Sequence, residues 1–186
     1  MKLNGIHGKA RTGKDTAARY LVENHGFLRR AFADPLKLAA QQMFGLSEDE
    51  TWSEEIKDVV IPYWGRSPRN LFQLLGTEGG RNVFGEDLWT QVWGKFYMEH
   101  REHMHIVVPD VRFDNEADLI RSLVGQIIIL TSNRATTLSN TAQKHASEAG
   151  IKPSSEDIPL DNSKTYQALY ARLDQIIDTW DKVHLS

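Results

Sequence analysis

The reading turns on the stretch Gly8-Lys9-Ala10-Arg11-Thr12-Gly13-Lys14-Asp15-Thr16. It fits the pattern G-x-x-x-x-G-K and stands between a short, part-apolar run, Lys2 to His7, and a segment of helical pattern that begins at Lys14. The spacing has a physical meaning. Gly8 and Gly13 permit backbone angles that other residues resist. Lys9, Ala10, Arg11 and Thr12 can then turn their N–H groups inward as an anion nest. The helix that follows aims its positive end at the same point. Lys14 adds a full charge able to reach the β- and γ-phosphates of a nucleotide. One position departs from the pattern: Asp15 stands where a Ser or Thr ordinarily meets magnesium, with Thr16 next. A carboxylate suits a hard cation or its water shell. Asp15 is therefore a candidate metal ligand, and Thr16 a candidate for an α-phosphate oxygen.

Working outward, helical and strand-like patterns alternate. Lys2 to His7 reads as a buried first strand, although Asn4 and Gly5 are poor strand formers. Ala17, Ala18, Leu21 and Val22 share a helix face that Gly26 ends. Phe27 to Ala33 alternates like a strand, and Asp34-Pro35 reads as an N-cap with proline at the first helical position. That helix stops near Gly45. Residues 45–67 read as a loop or partly helical insertion. Ser67-Pro68 caps a helix through Leu71, Phe72, Leu74 and Leu75, and another fits Glu86 to His100. Ile106 to Val108 is a strand ending at Pro109-Asp110, Asn115 to Leu123 a helix, and Gln126 to Leu130 a strand. Residues 131–157 are polar and suit a mobile, lid-like element. Ile158 to Leu160 reads as an edge strand, and Tyr166 to Trp180 as an amphipathic helix. The expected fold class is α/β with a mainly parallel sheet covered on both faces. Ligands of such sheets bind beyond the C-terminal strand ends, where the charged candidates cluster.

The bulk figures set bounds. A chain of 186 residues, 40% apolar and 25% charged, fits one soluble domain, with or without a small insertion. It has no cysteine, which excludes disulfides and any cysteine-based zinc site or nucleophile. No His cluster has metal-ligand spacing. The formal charge of −3 implies no general affinity for nucleic acid. No apolar run approaches the roughly 18 residues of a membrane span, and no signal-peptide pattern opens the chain. The expectation is a cytoplasmic protein that binds small molecules, with neither nucleic acid nor membrane as partner.

The phosphate loop resembles the variant loop of the bacteriophage deoxynucleoside monophosphate kinases. Three more stretches resemble that family: Phe32-Ala33-Asp34-Pro35-Leu36-Lys37, Leu74-Leu75-Gly76-Thr77-Glu78-Gly79-Gly80-Arg81, and Pro109-Asp110-Val111-Arg112-Phe113-Asp114-Asn115-Glu116. His145-Ala146-Ser147-Glu148 resembles the family's lid-region motif. Their order and spacing carry the case, each block being weak alone. The resemblance implies a single P-loop kinase domain over 1–186: a three-layer α/β/α fold with a five-stranded sheet, a helical acceptor-binding insertion at about 45–102, and a lid at about 131–157. It implies ATP and Mg²⁺ as co-substrates, a deoxynucleoside monophosphate acceptor, and the host cytoplasm if a phage encodes the chain.

The remaining charged positions fit this frame. Asp110 follows an apolar strand, where a magnesium carboxylate sits in such enzymes. Arg112 and Glu116, four apart, form either a helix-surface ion pair or a site pair, and the resemblance favours a site role for Arg112. Asp34 either caps its helix or faces the acceptor, and Lys37 lies one turn on. Arg69 and Arg81, loosely on one helix face, suit a bidentate grip on a monophosphate. Gln73 and Glu78 are candidates for reading the base. Arg134 is a candidate lid arginine that supplies charge on closure. Lys14, Arg11, Arg112 and Arg134 are thus the expected catalytic set. The expected activity is ATP-dependent phosphorylation of a deoxynucleoside monophosphate. Two alternatives stay open: a kinase for another small acceptor such as a phosphomevalonate-like molecule, with Asp34 as base for an alcohol, or a nucleotide-binding module without phosphotransfer. A homodimer is also open, since Trp52, Tyr63 and Trp64 suit an interface or a pocket wall.

Overall fold

The strand before the glycine-rich turn sits at the centre of the sheet. In the computed structural model, which describes residues 1–133 and 150–184, β1 (Leu3–His7) pairs in parallel with β3 (His105–Val111) on one side and β4 (Gln126–Thr131) on the other. The outer strands are β2 (Phe27–Arg29) and β5 (Ile158–Asp161), and the order is β2-β3-β1-β4-β5 with every pair parallel. The chain leaves β1 toward one edge and later crosses to the other. The turn after β1 therefore lies at the switch point, where an open α/β sheet leaves a crevice.

Both faces are covered. Ile6, Val107, Ile128, Leu130 and Leu160 form one core with Ala17, Ala18 and Leu21 of α1 (Lys14–His25) and with Leu169, Leu173, Ile176 and Ile177 of α8 (Tyr166–His184). On the other face α7 (Asp114–Ser122) comes so close that a Cβ on Gly5 would lie 2.6 Å from Ile120 Cδ1. That contact is why a poor strand former stands there. Asn4 is fully buried and neither atom of its amide group has a hydrogen-bond partner. This contravenes the usual pairing of buried polar groups.

The chain divides into two compact units, residues 1–31 with 98–186, and residues 32–97. The second unit begins earlier than the expected insertion, because it includes α2 (Asp34–Phe44). It also holds α3 (Glu48–Trp52), α4 (Pro68–Gly76), a π-helical turn (Thr77–Arg81), α5 (Asn82–Phe84) and most of α6 (Leu88–His100). Its core joins Ala40, Leu46 and Leu71 to Phe44, Ile61, Phe72 and Leu75. Trp93 is buried between Phe32 and Tyr97.

Several expectations need correction. Strand β2 ends at Arg29, and the next element, α2, begins at Asp34. Asp34 is not the N-cap: Ala33 holds that place in helical geometry, Asp34 is buried in the first turn, and Pro35 follows. Strand β3 runs through Pro109 and Asp110 to Val111, with a register shift against β1 between Gly5 and His7. Proline has no N–H to donate, and a bulge absorbs that defect. The α4 helix gives way to a π turn because the Trp89 indole takes the Gly76 carbonyl at 2.9 Å. This removes the basis for placing Arg69 and Arg81 on one face, since 3.6 residues per turn does not hold between them. Among the described residues, no helix is long and apolar enough to cross a membrane.

Candidate functional site: the phosphate loop

The turn between β1 and α1 is held by its own side chains. Lys9 O accepts from Thr12 N at 3.3 Å, from Thr12 Oγ1 at 2.8 Å and from Lys14 Nζ at 2.8 Å. Lys14 Nζ also donates to Gly8 O at 2.7 Å. The two glycines serve different needs. Gly13 has φ of 97°, a left-handed conformation that other residues resist. Gly8 answers to space: a Cβ there would lie 2.4 Å from Leu130 O and 2.7 Å from Thr12 Oγ1. Arg11 is itself left-handed, with φ of 64°. Such strain in a residue with a side chain gathers at functional sites.

Helix α1 has Gly13 as its N-cap and no side-chain cap. The N–H groups of its first turn have no partner within the helix, so an anion can take them. A cavity of about 390 Å³ opens there, lined by Arg11, Gly13, Lys14, Asp15, Thr16, Asn162 and Tyr166. Its size falls in the range of small-molecule sites. Lys9, Ala10, Thr12 and Gly8 complete the loop behind this wall. The structure thus places Arg11, Gly13, Lys14, Asp15 and Thr16 on one cavity wall, with the Lys14 ammonium bonded back to Gly8 and Lys9.

The remaining candidates are distributed as follows. Asp110 is half-buried within the β3 bulge. Arg112 is exposed just before α7. The expected Arg112–Glu116 side-chain pair takes another form: buried Glu116 accepts from the backbone N–H of Arg112 at 2.7 Å and of Phe113 at 3.2 Å. That carboxylate caps α7. In the second unit, Lys37 Nζ lies over the rings of Trp52 at 5.1 Å and Phe72 at 5.9 Å, a cation–π placement. Arg69 Nε meets Asp58 Oδ1 at 2.6 Å, and its hydrogen bond holds the Asp58 carboxyl below the ordinary value. Gln73 and Glu78 are exposed, and Arg81 is half-buried at the end of the π turn. Arg134, His145 and Glu148, with most of the expected lid, lie outside the described residues.

Two cavity residues escaped the sequence reading. Asn162 follows β5 and donates from Nδ2 to Thr12 O at 2.9 Å. Tyr166 opens α8, with Tyr170 beyond it and Tyr20 stacked on Tyr170 at 4.1 Å. The available signal was position: Asn162 follows a parallel strand, at the edge where ligands bind.

Comparison with known proteins gives the chain's family. The family model "Deoxynucleotide monophosphate kinase" matches residues 49–173. A protein of Acanthamoeba polyphaga mimivirus, provisionally named deoxynucleotide monophosphate kinase, is 34% identical over 96% of this chain and 97% of its own length. The deoxynucleotide monophosphate kinase of Enterobacteria phage T4 is 23% identical over 93% of this chain and 97% of its own. Among solved structures, a sugar kinase from Janibacter sp. HTCC2649 superposes with a TM-score of 0.52 at 13% identity over 96% of this chain and 95% of that one, a likeness of fold alone. The chain belongs to the deoxynucleotide monophosphate kinase family.

Proposed function

We propose that the chain transfers the γ-phosphoryl group of ATP, in line, to an α-phosphate oxygen of a deoxynucleoside monophosphate, giving ADP and the deoxynucleoside diphosphate. The observation that carries this reading is the cradle of residues 8–16, with Lys14 and an uncapped helix end at one cavity. Family membership supplies the acceptor class.

Little covalent help is needed from the protein. The nucleophile is already an anionic phosphate oxygen, so positioning and charge neutralisation supply most of the catalysis. The loop amides and Lys14 hold the β- and γ-phosphates. To do so, Lys14 exchanges its bonds to Gly8 O and Lys9 O for phosphate oxygens. Arg11, on the cavity wall, offsets charge as the two phosphates approach. Arg112 and Arg134 are the further candidates for that task. Mg²⁺, when bound, would supply charge neutralisation on the nucleotide phosphates. Asp15 lines the cavity beside Thr16, and Asp110 lies in the β3 bulge. Asp15 on the cavity wall fits an ion held by one or two carboxylates together with water and substrate phosphates, with Asp110 the candidate for the second. Acceptor contacts fall to Asp34, Lys37, Gln73, Glu78 and Arg81, and to Arg69 once it leaves Asp58. Glu116 contributes by fixing the backbone that carries Arg112. The protein works in the cytoplasm on small nucleotides, as a monomer or homodimer, without nucleic acid or membrane.

A coupled ADP-release assay across deoxy- and ribonucleoside monophosphates, with a phosphomevalonate-like acceptor alongside, tests the proposal. Acceptor-dependent ADP release with at least one deoxynucleoside monophosphate is expected. Release only with the phosphomevalonate-like acceptor, or ATP binding without any acceptor-dependent release, would refute it.

A further inference from the structure

Asn162 lies just past β5, more than a hundred residues from the motif it touches. Its backbone is fixed on both sides: N–H donates to Thr131 O at 2.7 Å, and its carbonyl accepts from Ser132 Oγ at 3.2 Å. From that anchored position Nδ2 donates to Thr12 O at 2.9 Å. A second observation is steric. A Cβ built on Gly13 would lie 2.5 Å from the same Nδ2, so the amide fills the space beside that residue. A third concerns cost. Asn162 is 4% exposed, and its Oδ1 is buried without a hydrogen-bond partner. An unmet buried acceptor destabilises a fold, and an apolar side chain of similar size carries no such penalty. What the amide gains against that cost is its one bond, and that bond falls on the loop carbonyl of Thr12.

A trans peptide points its C=O and N–H in opposite directions. Holding the Thr12 carbonyl toward Asn162 fixes the orientation of the Gly13 N–H, which belongs to the N-cap of α1. We propose that Asn162 is a positioning residue for the phosphate loop: it clamps the Thr12–Gly13 peptide so that the Gly13 N–H is preset for a nucleotide phosphate. The inference rests on the nucleotide-binding reading of the loop. A preset donor does not wait for the ligand to order it, and the benefit appears as affinity.

The test uses the full chain with Asn162→Ala. ATP affinity is read by calorimetry with Mg²⁺, together with KM for each substrate, kcat and Tm. Both Kd and KM for ATP should rise about tenfold, which is about 1.4 kcal/mol. The acceptor KM and kcat at saturating ATP should stay within about twofold, because the contact is made in ground and transition states alike. A core variant, Leu173→Ala, serves as control: it should lower Tm and leave KM for ATP unchanged. If Asn162→Ala behaves like that control, the clamp is merely structural and the proposal falls. Asn162→Leu keeps the size and loses the donor without adding charge, so it carries the test should the alanine variant fail to fold. The same rise is expected, and a wild-type KM for ATP would overturn the proposal. A wild-type chain that binds ATP but releases no ADP with any acceptor defeats the kinase reading while the Kd comparison still decides the clamp. A wild-type chain that binds no ATP overturns both.

Discussion

Replacing Arg121 with methionine should cost this protein a large share of its stability. Arg121 on α7 meets Asp157 with two bonds, Nη2 to Oδ2 at 2.7 Å and Nε to Oδ1 at 3.1 Å. It also donates to Lys152 O at 3.1 Å and to Asp118 at 2.9 Å. The Asp157 side chain is 2% exposed and that of Arg121 17%. Breaking a buried pair from one side costs about 3–5 kcal/mol, because the remaining charge is stranded. The partial exposure of Arg121 lowers this to about 2–4 kcal/mol, since solvent screens part of the interaction. Asp118, exposed on the same helix, adds only a few tenths. In a chain of this length each kcal/mol moves Tm by about 2–4 °C, so a loss near 3 kcal/mol predicts a fall of about 6–12 °C. The Asp157 hydrogen bonds raise the Arg121 pKa above its ordinary value, with burial opposing them. A raised pKa on a basic group gives stability that is complete below the unfolded value and lost only as pH rises through the folded one. The deficit from the arginine side should therefore be flat across neutral pH. Urea and thermal unfolding of wild type and Arg121→Met measure it. A deficit under about 1 kcal/mol would refute the claim that a buried, bidentate clasp anchors the chain leading into β5.

Other variants probe the loop and the sheet. Lys14→Ala should lower kcat/KM by at least about a hundredfold, as loss of a charge that stabilises the transferring phosphates does, with Tm little changed; wild-type turnover would refute its role. Gly8→Ala places a methyl group against Leu130 O, whose backbone cannot yield. It should cost about 1–3 kcal/mol of stability and raise KM for ATP, and an unchanged KM would mean that the loop tolerates displacement. Asn4→Leu replaces a buried amide that lacks partners and should raise stability by about 1–2 kcal/mol in urea unfolding; a loss would show that the amide is satisfied in solution.

Local chemistry made much of this molecule legible. The stops at Gly26 and Gly45 were readable because both are left-handed C-caps, and Ser67-Pro68 because serine caps and proline opens α4. The turn at 8–16 was readable because its two glycines, its lysine and the start of α1 are adjacent in the sequence. What was hidden depends on distant partners. The π turn follows from an indole thirteen residues beyond the carbonyl it takes. The ring contacts of Lys37 were hidden because Trp52 and Phe72 are near it only in space. Asp34 resembled a cap because Asp-Pro commonly opens helices, and its burial cannot be read from two letters. Asn162 belongs to the cradle through one bond to Thr12, which no spacing within 8–16 encodes.

A crystal structure of the chain with Mg²⁺ and a non-hydrolysable ATP analogue decides whether residues 8–16 hold the nucleotide. The β- and γ-phosphates should lie enclosed by the amides of residues 8–16, with Lys14 Nζ moved from Gly8 O and Lys9 O onto them. Nucleotide bound elsewhere, with Lys14 still on those two carbonyls, would contradict that placement.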